Sequence, residues 1–230
     1  MKICGIQKLT LLDYPEHIAC TVFLGGCNLR CPFCHNADLV VGKVEEAFSK
    51  DDVFAYLKKR VGVLDGVCVT GGEPLIYEDT LEFLAELKSL GYLVKLDTNG
   101  FFPDRLERAI GSGNVDYVAM DIKSSPEGYA SATGIENPDI GAVKRSVALL
   151  ESSGIDHEFR TTVVRELHGE SEMREIGRWL EGTKKYFLQG FIDSGRLVGG
   201  TFTAHTAERM KELLEIIREY VPSAALRGVE

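Results

Sequence analysis

No apolar run in this sequence approaches the roughly 18 residues that a membrane-spanning helix requires, so a helical membrane protein is not expected. Basic charge is in deficit: 26 Lys and Arg stand against 35 Asp and Glu, a formal net charge of −9. A general nucleic-acid binder needs a basic footprint, and this composition argues against one. Cysteine is scarce, with six in 230 residues, which does not suit a disulfide framework. The opening run MKICGIQKLTLLDYPEH has no long apolar segment and does not read as a signal peptide. No internal repeat, low-complexity tract or linker divides the chain, and its length suits one α/β domain over residues 1–230. The expected setting is a reducing cytoplasm, where free thiols survive.

What is present is a sizeable apolar fraction, 44%, arranged in alternating strand and helix patterns. Residues 1–17 read as a lead-in segment, with a turn at Asp13-Tyr14-Pro15. Ile18–Leu24 is apolar on both alternating faces, the pattern of a strand buried on both sides in a parallel sheet. Further strands are expected at 66–70, 92–96, 115–120, 158–164 and 185–191. Helices are expected between them, the first starting at Ser49 and carrying Val53, Leu57 and Val61 on one face. A last helix spans about 204–220, with Ala207, Met210, Leu213, Leu214 and Ile217 facing inward. Six strand–helix units, over 18–191, predict a partial, laterally open (βα)6 barrel with right-handed crossovers. The basic run Lys58-Lys59-Arg60 reads as a solvated helix face, or else as a docking patch for an acidic electron donor.

Polar clusters fall just after these strands, at the end where barrel folds place their chemistry. The first is GGCNLRCPFCHN, Gly25 to Asn36, with Cys27, Cys31 and Cys34 spaced C-x3-C-x2-C. Three soft thiolates on one loop point to iron–sulfur chemistry. A structural zinc site needs four ligands, and His35 is a poor fourth because it adjoins Cys34. A four-iron cube held by three cysteines leaves one iron free to bind a substrate. The others are Gly71-Gly72-Glu73-Pro74, Asp97-Thr98-Asn99-Gly100 and Asp121-Ile122-Lys123, with Arg160 inside FRTTVV. Cys20 and Cys68 lie inside strands and read as buried small hydrophobes; Cys4 reads as inert.

The cysteine motif, with Phe33 before its last cysteine, resembles that of the radical S-adenosylmethionine enzymes, and GGEP resembles their cofactor motif. Beyond these, the strand ends and the run LLDYPEHIACTVFLGGCNLRCPFCHN are similar to glycyl-radical-enzyme activating enzymes, most of all to activators of anaerobic ribonucleoside-triphosphate reductase. Activators of pyruvate formate-lyase carry a histidine after the sixth of these strands, where this chain reads Gln189-Gly190-Phe191. The resemblance implies that Cys27, Cys31 and Cys34 ligate one [4Fe-4S] cluster and that Phe33 lies against the adenine of S-adenosylmethionine. It implies that Glu73, with Gly71 and Gly72, holds the cofactor's amino group, a charge-assisted pair, and it adds Asn36 to the cofactor-binding set. It implies that Asp97, Thr98 and Asp121 line the methionine end, where a monovalent cation can sit, and that Lys123 and Arg160 reach the carboxylate or ribose. A reductant of flavodoxin or ferredoxin type would feed the cluster. The implied reaction is reductive cleavage to a 5′-deoxyadenosyl radical, which takes a hydrogen atom from a glycine of the partner enzyme. A barrel open at the side fits a protein substrate that serves as its own lid. Three other readings stand beside this one: an activating enzyme of pyruvate formate-lyase, whose N-terminal run this chain also resembles, a radical enzyme acting on a small molecule, such as a carboxydeazaguanine synthase, and a non-enzymatic iron–sulfur or zinc module.

Overall fold

The computed structural model describes residues 1–41, 45–193 and 195–229. Among the described residues, eight strands form an open, mostly parallel sheet in sequence order, from β1 (Ile3–Thr10), β2 (Ala19–Leu24) and β3 (Gly66–Gly71) to β4 (Leu93–Thr98). The order continues through β5 (Tyr117–Asp121), β6 (Asp156–Val163) and β7 (Tyr186–Gly190) to β8 (Ala225–Arg227). β2 pairs parallel with β3 and β3 with β4, as do β6 with β7 and β7 with β8. The expected strand–helix units thus run from β2 to β7, and the α/β class is as the sequence predicts. The helices are α1 (Ala37–Val40), α2 (Lys50–Lys58), α3 (Thr80–Ser89), α4 (Pro103–Gly111) and α5 (Tyr129–Thr133). They end with α6 (Ile140–Ser153), α7 (Glu170–Trp179) and α8 (Ala207–Arg218).

Two expectations need correction, and one further strand was not foreseen. The lead-in segment is a strand: β1 pairs antiparallel with β2, and its half-exposed edge position hid the alternation. Strand β8 is only three residues long and half-buried throughout, too short to carry a pattern. The helix begun by Ser49 ends at Lys58, so Val61 is not on its buried face and is 54% exposed. The Val63 N–H turns back to the Arg60 carbonyl at 2.9 Å, and Gly62 has φ +78°, which the helix could not continue through. At its other end the expected capping box is complete: the Ser49 hydroxyl accepts from the Asp52 N–H, and the Asp52 carboxylate accepts from the Ser49 N–H.

The chain divides into two compact units. The first comprises Met1–Asn28, Asp38–Ala119 and Ala142–Asp156. Its inner strands β2, β3 and β4 are largely apolar on both faces, as burial from both sides demands, with Val22, Val67, Val69, Val94 and Leu96 fully buried. Tyr14 anchors the β1–β2 loop by packing with Ala19, Tyr117 and Ala119. The second comprises Leu29–Ala37, Met120–Gly141 and His157–Glu230. There α8 buries Met210, Leu213, Leu214 and Ile217, and β8 is tied in by a two-pronged ion pair from Arg227 to the buried Glu158, at 2.7 and 3.0 Å. Such a fork is geometrically specific and fixes the register of a strand too short to fix itself.

Candidate functional site

In the first unit the strand ends carry Gly25–Cys27, Gly71–Glu73 and Asp97–Asn99. The two glycines of the GGEP turn are required by backbone packing. A Cβ on Gly71 (φ +130°) would stand 2.0 Å from the Leu24 carbonyl oxygen, and one on Gly72 would stand 2.0 Å from that of Gly26. No other residue allows this approach. It lets the Gly72 N–H donate to Leu24 O at 2.9 Å and the Glu73 N–H to Gly26 O at 2.9 Å, stitching the start of the cysteine loop onto the end of β3.

Glu73 is fully buried. Its Oε1 accepts from the Leu75 N–H at 3.0 Å and from the Thr98 hydroxyl at 2.9 Å, while Oε2 accepts from the Asn99 N–H at 2.6 Å. A buried carboxyl group is costly unless hydrogen bonds replace its water, and these three do so. Glu73 therefore braces the ends of β3 and β4 against each other. Asn99 extends the brace: its side-chain amide donates to Asn28 Oδ1 at 2.8 Å and lies 3.8 Å from the Cys27 sulfur. The Asp97-Thr98-Asn99-Gly100 motif gives Asn99 no role by itself; its place next to the first cysteine comes from tertiary packing.

Asp97 does not stand open. Its carboxylate pairs with the ammonium of Lys95 and accepts from the Thr70 hydroxyl at 3.0 Å, with the Cys68 sulfur at 3.8 Å. Lys95 is 1% exposed. Sequence reasoning missed it, although the i, i+2 spacing that puts Lys95 and Asp97 on one face of β4 was the available signal. Cys20 and Cys68 are buried, as expected. Burial raises the Cys4 thiol above its ordinary value, which fits an unreactive side chain.

In the second unit the Cys34 N–H donates to the Cys31 carbonyl at 3.0 Å, closing the turn between the later two cysteines. Phe33 is 4% exposed, edge-on to the rings of His168 at 6.1 Å and Phe202 at 5.9 Å. It anchors the loop in the protein. His35 is exposed, and Asn36 is half-buried just before α1. Asp121 brings together the two basic residues that the sequence singled out. Its Oδ1 accepts from Arg160 Nε at 2.9 Å and its Oδ2 from Lys123 Nζ at 3.0 Å. Burial would raise the Asp121 carboxyl, but the charges of Arg160 and Lys123 outweigh it and hold it well below the usual carboxylate range. Burial likewise opposes the charge on Lys123, but Asp121 and the thiolate form of Cys31 hold its ammonium protonated. The Cys31 thiol is pushed up to about 11 by burial, against the pull of Lys123.

The description "Radical SAM superfamily" matches residues 21–180. The chain belongs to this superfamily. Among its relatives, a Methanocaldococcus jannaschii protein named as a proposed glycyl-radical enzyme activating enzyme is 28% identical over 99% of this chain and 96% of its own. The pyruvate formate-lyase-activating enzyme of Listeria monocytogenes is 33% identical over 60% of each chain. Among solved structures, Streptococcus suis SuiB bound to S-adenosylmethionine has the same fold, with a TM-score of 0.71 at 14% identity, covering 90% of this chain and 52% of that one. Radical SAM membership implies a [4Fe-4S] cluster and S-adenosylmethionine. The donor set is chemically suited to the cluster: none of Cys27, Cys31 and Cys34 is tied up in a disulfide, and all three are soft ligands on one loop. Among the described residues no three His, Cys, Asp or Glu side chains are gathered tightly enough for a single metal ion. A four-iron cube places its thiolates on separate irons, which asks for a wider spread. Among the described residues no helix is long and apolar enough to cross a membrane.

Proposed function

We propose that this radical SAM enzyme activates a glycyl radical enzyme: it cleaves S-adenosylmethionine with one electron and removes a hydrogen atom from a backbone glycine of a partner protein. The observation that carries this reading is the end-to-end likeness to the Methanocaldococcus jannaschii relative. Anaerobic ribonucleoside-triphosphate reductase is the partner we favour, on the strength of the run from Leu11 to Asn36 and of Gln189-Gly190-Phe191. The Listeria monocytogenes likeness supports pyruvate formate-lyase as the second candidate. The reductant would be of the flavodoxin or ferredoxin class, in a reducing compartment.

In this reading Cys27, Cys31 and Cys34 hold the cluster. When bound, the cluster and S-adenosylmethionine supply the one-electron carbon–sulfur cleavage that yields a 5′-deoxyadenosyl radical. The chain supplies position and charge. Gly71 and Gly72 seat the cofactor's amino end, with Glu73 and Thr98 fixing the strand ends that frame it. Lys123 and Arg160, drawn together by Asp121, are the basic pair offered to the cofactor's carboxylate or ribose. Asp97 already carries the Lys95 ammonium, and Asp121 carries Lys123 and Arg160. We therefore assign the positive charge beside these carboxylates to the chain's own side chains, in place of a monovalent ion.

The experiment combines the reconstituted protein, reductant, S-adenosylmethionine and the candidate reductase subunit from the same source under strict anoxia. A glycine-centred doublet in the electron paramagnetic resonance spectrum, formed together with 5′-deoxyadenosine, is expected. Deoxyadenosine formation stimulated only by small molecules, with no radical on any glycyl radical enzyme, would overturn the reading.

A further inference from the structure

Between the fully buried Val94 and Leu96, β4 carries a lysine. Side chains alternate along a strand, so Lys95 and Asp97 share one face of β4 while Val94, Leu96 and Thr98 take the other. Parallel pairing sets Lys95 opposite Cys68 of β3, and Thr70, two residues on, shares the face of Cys68. The Lys95 side chain is 1% exposed and that of Asp97 15%. The carboxylate thus stands near the strand end, and the ammonium reaches it from inside the fold. Oδ1 of Asp97 takes the ammonium, and Oδ2 accepts from the Thr70 hydroxyl at 3.0 Å. The ammonium also lies 3.8 Å from the Cys68 sulfur.

Burying this pair is expensive. An ion pair removed from water is often no more stabilising than apolar side chains of similar volume. Packing alone therefore does not account for a lysine between Val94 and Leu96. Charge offers a reason. Asp97 is one of the carboxylates at which the family resemblance implies a monovalent cation. A lysine ammonium is a compact unit positive charge on a flexible stem, and a monovalent ion is the same charge without the stem. Both Asp97 oxygens already hold donors of the chain, so a free ion does not fit at Asp97 while Lys95 is in place.

We propose that Lys95 is a positioning residue that serves as a tethered counter-ion: it neutralises and orients Asp97, so that the strand end carrying Thr98 and Asn99 needs no alkali ion from solution. The bearing on S-adenosylmethionine rests on the proposed placement of Asp97 beside the cofactor; the bearing on the fold stands on the chain alone. Three forms of the full-length chain test it: wild type, Lys95→Met, and Lys95→Met combined with Asp97→Asn. Thermal unfolding of the cluster-free proteins is compared in choline, sodium and potassium chloride at equal concentration. The wild type should melt at the same temperature in all three. Lys95→Met should melt several degrees lower in choline, whose cation is too large for a buried site, and recover saturably in sodium or potassium. Adding Asp97→Asn should abolish that response. After reconstitution under anoxia, calorimetry should find wild-type affinity for S-adenosylmethionine indifferent to the salt. The affinity of Lys95→Met should be several-fold weaker in choline and restored by sodium or potassium. A Lys95→Met protein that loses the same stability in every salt, or that folds in none of them, would make the pair merely structural and overturn the proposal. A wild type that gains as much from sodium or potassium as Lys95→Met does would overturn it too, because an ion would already be at work. No partner protein enters these measurements, so their failure is distinct from failure of the activating-enzyme reading.

Discussion

The Thr98 hydroxyl donates to the Glu73 carboxylate at 2.9 Å, and both residues are buried. The contact joins the ends of two neighbouring parallel strands through a carboxyl group with no access to water. Glu73→Gln should therefore do two things. Its amide nitrogen would face a backbone N–H at Leu75 or Asn99, leaving a buried donor unsatisfied at a cost of roughly 1–3 kcal/mol. For a chain of this size that is a fall in melting temperature of roughly 2–12 °C. Binding of S-adenosylmethionine should weaken as well, as titration calorimetry would register. A variant that melts with the wild type would show that the brace carries no load.

Two glycines make a matched pair of opposite sign. Gly72→Ala drives a Cβ into the Gly26 carbonyl oxygen, so the start of the cysteine loop must move. It should destabilise the fold and lower the iron content after reconstitution. Gly111→Ala, in α4 with open space around the added methyl, should stabilise by about 0.5–1 kcal/mol. Urea midpoints of the two variants, shifted in opposite directions, check the assignment; shifts of the same sign contradict it.

The parts of this fold that the sequence made legible are those with local signals. Apolar, β-rich runs announced β2 to β7, and the Ser49 capping box announced the start of α2. The site motifs were readable because each is a contiguous run after a strand. What stayed hidden is set by contacts distant in sequence. Nothing near Glu73 says that its carboxylate is spoken for by Thr98 and Asn99. Nothing near His168 says that it reaches Lys123, 45 positions away. Lys95, a charged residue inside an apolar strand pattern, becomes intelligible only beside Asp97. Edge strand β1 and the short β8 lack the two-sided burial on which strand recognition depends.

The ligand assignment separates five of the six cysteines into two groups. Cys27→Ala, Cys31→Ala and Cys34→Ala should each abolish the brown colour of the reconstituted protein and the resonance of its reduced state. Cys20→Ala and Cys68→Ala leave cavities in the strands and should lower stability with iron content unchanged. Loss of iron on replacing Cys20 or Cys68 in a protein that still folds would show the ligand set to be wrong.

His168 should also make stability sensitive to mild acid. Burial lowers its pKa in the folded protein, so below the unfolded-state value of about 6.5 the unfolded chain takes up a proton that the native chain resists. Its contribution to stability is therefore fully present above about pH 6.5 and declines as pH falls through that window toward the lower folded-state value. Urea unfolding from pH 7.5 to 5.5 should show this decline in the wild type and less of it in His168→Phe. Parallel pH profiles would contradict the buried neutral imidazole.

The central claim is that a hydrogen atom passes from a glycine of a partner protein to the adenosyl fragment. It is tested most directly by preparing the candidate ribonucleotide reductase subunit with deuterated glycine and letting this enzyme act on it with S-adenosylmethionine and reductant under anoxia. Mass spectrometry of the 5′-deoxyadenosine should show one deuterium gained, in proportion to the glycyl radical formed. Deoxyadenosine that carries no deuterium while a glycine-labelled partner is present and turnover proceeds would contradict the account.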